Sequence, residues 1–152
     1  MNRIELIGDQ MQRAYAGEAW HGPSLEELLT GVTVGQALAR PIPGGHSIWE
    51  LTMHVGAWMS ACRRRLSGDP AKLTPQEDWP LIDGGSQAAW QQTVNALEQE
   101  HNQLRAAISS LPESSLQNVA PGKDHSVEFM LHGVIQHNLY HAGQIALLKK
   151  AL

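Results

Sequence analysis

His132-Gly133-Val134-Ile135-Gln136-His137-Asn138-Leu139-Tyr140-His141 places three imidazoles in ten residues of the last helical stretch of the chain. Residues four apart on an α-helix differ by only ~40° around its axis, so His137 and His141 present their rings on one face, a turn apart. Two imidazoles so placed can grip one metal ion. His132 lies five positions before His137, which is ~140° away at ~100° per residue, and faces elsewhere. The helix that carries the pair is expected from about Asp124 to the C-terminus, with Lys149 and Lys150 in its last turn, where positive charge complements the helix dipole.

Working back along the chain, Trp90, Val94, Leu97, His101, Leu104 and Ile108 recur at helical spacing, which predicts a third long helix over Ser86 to Leu111, closed by Pro112. The second long helix opens at Ser47-Ile48-Trp49-Glu50, a capping box, and buries Ile48, Leu51, Val55, Trp58, Met59 and Cys62. His54 falls on that apolar stripe. Arg63, Arg64 and Arg65 close this helix at its negative end. The first long helix runs from Asn2 to about Gly17 on Ile4, Ile7, Met11, Ala14 and Tyr15.

Between the first and second long helices, Ser24-Leu25-Glu26-Glu27 opens a short helix to Thr30, and residues 33 to 39 make another short turn that Pro41 and Pro43 end. Trp20, in the preceding loop, is a large apolar group that needs cover. Residues Ser67 to Gly85, with the apolar patch Trp79-Pro80-Leu81-Ile82, and Glu113 to Lys123 are expected to be irregular. No strand pattern competes. The fold class is all-α: a four-helix bundle with short extra helices between helices 1 and 2, forming a single domain over residues 1–152.

Composition sets the outer bounds on function. A net charge of −4 with neutral histidines offers no positive field for nucleic acid or an anionic membrane, and no apolar run is long enough to span a bilayer. The expected setting is cytoplasmic, with a small-molecule substrate rather than nucleic acid or membrane as partner. Cys62 is alone, so no intramolecular disulfide forms, and inside a helical pattern it reads as a small buried hydrophobe. Eight histidines and five tryptophans are the oddities. The first point to metal or proton chemistry, the second to an aromatic-walled pocket or to core anchors.

A divalent site in a bundle needs ligands from facing helices, and His54 is the best third partner for His137 and His141. Three histidines with a water form an open, catalytic geometry, whereas four protein ligands form a closed structural one. Neutral imidazole suits Zn, Ni, Cu or Fe, with Zn and Ni first. His101 is either a fourth ligand or a buried hydrogen-bonded core residue. Glu50, one turn before His54, is either a partner for its ring or simply the cap of its own helix. Trp49, Trp58 and Trp90 are core anchors or pocket walls. His21, His46 and His125 fall in loops or at helix starts, where solvated surface is the default.

His46-Ser47-Ile48-Trp49-Glu50-Leu51-Thr52-Met53-His54 with Trp58, and the closing stretch from Phe129 to Ile145, resemble the two ligand helices of the DinB-like (YfiT-like) family of metal-binding four-helix bundles. The loop Trp20 to Ser24 and the turn Gly31-Val32-Thr33 are also similar, so the resemblance covers nearly the whole chain. It implies an up-down-down-up bundle, often homodimeric, with one divalent ion held by His54, His137 and His141 in a pocket open at one end. It further implies a thiol-dependent enzyme, an S-transferase joining a low-molecular-weight thiol to an electrophile or an isomerase with a thiol cofactor. Two other expectations stand beside it. One is a metal-dependent hydrolase; the other is a non-catalytic metal-binding stress-response protein. No residue of the sequence marks a catalytic general base.

Overall fold

A computed structural model describes all 152 residues of the chain. Its helices begin where a polar side chain can accept a free amide. Asn2, Ser24, Thr33, Ser47 and Thr74 each do so in a capping box with the residue three further on, and Ser86 and Ser126 cap without the reciprocal bond. Each such cap stabilises its helix by about 1 kcal/mol relative to alanine. The elements are α1 (Arg3–Ala16), α2 (Leu25–Leu29), α3 (Val34–Leu38), α4 (Ile48–Leu66), α5 (Pro75–Asp78), α6 (Gln87–Ser109) and α7 (Val127–Lys150), with a 3-10 turn over Glu113–Gln117.

Four of these are long, and side-chain pairs fix their directions. Trp49 near the start of α4 meets Trp90 and Thr93 near the start of α6, while Arg63 near the end of α4 pairs with Glu100 further along α6, so these two helices run parallel. His54 and Trp58 of α4 meet α7 in reverse order, at His141 and His137, so that pair is antiparallel. Arg3 at the start of α1 pairs with Glu128 at the start of α7, making those two parallel. The result is an up-down-down-up bundle in which α4 and α6 are joined by a long crossover, as a parallel pair requires.

One hydrophobic cluster fills the bundle, drawing on every long helix and on α2 and α3. Trp49 and Trp90 are its largest buried side chains, and each indole N–H has a partner, Thr93 Oγ1 and the Val32 carbonyl respectively. The five apolar positions read from α1 are its five buried residues. Trp20, expected to need cover, is fully exposed, since no element folds back over its loop. The three arginines that close α4 also diverge in role: Arg63 pairs with Glu100, Arg64 pairs with Asp69, and Arg65 is buried.

Two stretches expected to be irregular contain structure. The crossover after α4 holds the single turn α5, and the connection before α7 holds the 3-10 turn. That second connection closes on itself through backbone bonds from Ala120 N–H to the His125 carbonyl and from Val127 N–H to the Asn118 carbonyl, which delays α7 to Val127 rather than Asp124. At its tip, Gly122 takes a φ of +72° and sits so close to Pro70 that an added Cβ would lie 2.9 Å from the proline ring. Only glycine fits there without displacement. The contact presses the 118–126 loop against the chain just beyond the end of α4.

Candidate metal centre

The apolar spacing of α4 turns His54 inward, where it is 5% exposed, and the antiparallel approach of α7 brings His137 and His141 to the same level. One ligand atom from each of the three rings lies within 4.8 Å of the others. The Nε2 atoms of His54 and His137 face each other at 3.1 Å.

The outer nitrogens determine what the inner ones offer. Nδ1 of His54 lies 2.8 Å from the backbone carbonyl of Asp78 and 3.0 Å from its carboxylate, both pure acceptors, so Nδ1 carries a proton and Nε2 is the nitrogen turned toward the other rings. Nδ1 of His141 donates to Gln144 Oε1 at 2.6 Å, with the same consequence. Nδ1 of His137 is buried with no partner, as is the adjacent Asn138 Oδ1. Burial in the bundle, reinforced by the neighbouring imidazoles, pulls the His137 pKa down to about 4 and lowers that of His141. Both are therefore neutral near pH 7, the form in which imidazole donates to a metal. Three convergent imidazoles, two of them with Nδ1–H held by outer partners, are a donor set that could hold a divalent cation, and the residues fit that group.

Aromatic rings cover this centre. Trp79, immediately after α5, stacks on His54 at 3.9 Å between centroids and also on His46 at 3.6 Å. Trp58 stands on the other side, its centroid 5.7 Å from that of His137, and donates its indole N–H to the Asp78 carboxylate at 2.7 Å. The three histidines form part of the wall of a cavity of about 450 Å³, lined mostly by apolar surface.

The remaining candidates are distributed as follows. Trp58 lies on the cavity wall, whereas Trp49 and Trp90 are core. Glu50 does not touch His54: its carboxylate caps Ser47 and pairs with Arg40, with His46 at 3.8 Å. His101 is far from the centre in the seam between α1 and α6, stacked on Tyr15 at 4.0 Å and bonded to Gln12 at 3.3 Å, where burial lowers its pKa to about 4. The reading of His101 as a buried core residue therefore holds over that of a fourth ligand. His132 is exposed, and His21 is surface as expected. His46 and His125 are not simple surface groups, since one stacks on Trp79 and the other lines the cavity.

Asp78, Trp79 and Gln144 were not singled out from the sequence. A usable signal existed for the first two: Thr74-Pro75-Gln76-Glu77 is a capping box with proline at the first helical position, and it marks the one turn that sets both residues over His54. No helix is long and apolar enough to cross a membrane.

Searches among curated proteins and among solved structures give no significant match. A family-wide sequence profile, that of the DinB superfamily, matches residues 19–145, a span that takes in His54, His137 and His141 and the crossover over them. With that match across most of its length and an up-down-down-up bundle around three convergent histidines, the chain belongs to the DinB superfamily.

Proposed function

We propose that the protein is a divalent-metal-dependent enzyme that transfers a low-molecular-weight thiol to an electrophilic small molecule. The observation that carries this reading is that His54, His137 and His141 stand on the wall of an apolar cavity instead of being enclosed by further ligands. His101, the residue that could have closed the coordination sphere, is committed to Tyr15 and Gln12, which favours catalysis over a purely structural ion.

His54, His137 and His141 would hold the ion through Nε2, and zinc or nickel suits three imidazoles best. The bound ion supplies a Lewis acid that favours the deprotonated form of a thiol beside it. Asp78 and Gln144 keep the His54 and His141 rings in the donating tautomer. Trp58 and Trp79 shield them from bulk water, which strengthens every charge interaction in the cavity. In the transfer the sulfur forms a bond to the electrophilic carbon, the leaving group departs with its bonding pair, and the thiol proton passes to solvent.

Purified protein loaded with zinc or nickel and assayed against a panel of cellular thiols and electrophiles is expected to turn over only when metal and thiol are both present. Loss of electrophile without added thiol would assign hydrolysis instead. Absence of any metal-dependent turnover would overturn the enzymatic reading.

A further inference from the structure

We propose that the cavity beside the three histidines selects substrates bearing a carboxylate, and that Arg65 with Lys123 is the anion-recognising end of that cavity. The reactive role of the cavity rests on the metal reading above; the anion selection does not.

The starting observation is a buried charge without a counterion. Arg65 is 4% exposed, and no carboxylate lies within ion-pairing distance of it; the nearby acid, Asp69, is paired with Arg64. The only hydrogen bonds of its guanidinium run from Nε and Nη2 to a single acceptor, the Ala71 carbonyl, at 3.0 and 2.7 Å. A guanidinium has five N–H donors, so most are left over, including both on Nη1. A guanidinium held this far from bulk water without an anion is unfavourable, and a chain needing only a tether for Ala71 could use a neutral donor.

The second observation is where that charge sits. Arg65 lines the cavity that the histidines line, and its guanidinium carbon is 5.8 Å from the centroid of Trp58. The same indole lies 5.7 Å from the ring of His137, so the imidazoles and the cation adjoin one tryptophan. Lys123, half-buried and with no hydrogen-bond or ion-pair partner for its ammonium, comes to the same cavity from the loop that Gly122 presses against Pro70. His125 of that loop lines it too. Asp78 is the one acidic residue on the wall, and its carboxylate is held by Trp58 Nε1 and His54 Nδ1 at the histidine end.

The cavity therefore combines a largely apolar wall with a donor cluster that could hold a metal and two cations that have no ion-pair partner. A planar carboxylate matches the fork geometry of the free guanidinium N–H groups. The ligand class is a small molecule with a short apolar body and a terminal carboxylate.

The test is titration of the isotope-labelled protein, stripped of metal by a chelator, with hexanoate and separately with hexanol, following the Trp58 indole N–H by NMR. Hexanoate is expected to bind at least tenfold more tightly than hexanol. That preference should fall at least fivefold in Arg65→Gln, which keeps a donor for Ala71, and also in Lys123→Glu, whose loop position leaves the bundle core intact should Arg65→Gln not fold. In His137→Ala the preference should persist, which separates this inference from the metal reading. Equal affinity for acid and alcohol, no binding of either at millimolar concentration, or an undiminished preference in Lys123→Glu would overturn it.

Discussion

The backbone carbonyl of Asp78 accepts the Nδ1 proton of His54 across 2.8 Å, tying the single turn α5 to the inner face of α4. The carboxylate of the same residue lies 3.0 Å from that nitrogen and 2.7 Å from the indole nitrogen of Trp58. One residue of the crossover thus orients the ring of a candidate metal ligand and the tryptophan beside it.

From this geometry Asp78→Ala is expected to weaken zinc binding by about tenfold, at the lower end of the effect of removing an outer partner of a ligand, because the carbonyl remains to hold the Nδ1 proton. Competition against a chromophoric chelator measures it. Unchanged affinity would mean that the carboxylate is a tether for Trp58 alone.

His101 predicts a specific acid sensitivity. Its folded pKa of about 4 lies below the unfolded value of 6.5, so the unfolded chain takes up this proton first. Its contribution is fully present above pH 6.5 and is lost as pH falls through that window toward about 4, by on the order of 3 kcal/mol in total. Urea unfolding of His101→Phe between pH 7 and 4.5 should show a shallower decline than the native chain, and parallel curves would contradict the account.

Cys62 is 2% exposed, and burial pushes its thiol up to about 12. Although it borders the cavity, it is a packing residue and not a nucleophile. Iodoacetamide at pH 8 is expected to leave it unmodified for hours in the native protein and to label it promptly in denaturant. Labelling of the native protein at the rate of a free thiol would overturn that assignment.

The helices were legible because their signals are local. Apolar spacing named all the buried positions of α1, and the same spacing turned His54 and His101 inward. Periodicity places a residue on a face without saying which helix that face meets. His54 and His101 were therefore alike as buried histidines, and only the ring of packed helices separates the one beside α7 from the one beside α1. Glu50 shows the converse: its spacing from His54 suited contact, but its carboxylate was already drawn back to the Ser47 amide and Arg40. Asp78 and Trp79 depend on a crossover whose path is set by tertiary packing, and Arg65 looked like any basic residue at a helix end until its burial showed that it had no counterion.

Zinc content per chain, measured after equilibration with a limiting chelator, tests the central claim most directly when the native protein is compared with His137→Ala and His132→Ala. One ion per chain in the native protein and in His132→Ala, with at least a hundredfold loss of affinity in His137→Ala, is the predicted result, since removing one of three ligands breaks the site while the exposed neighbour is irrelevant to it. Equal zinc content in the native protein and His137→Ala would contradict it.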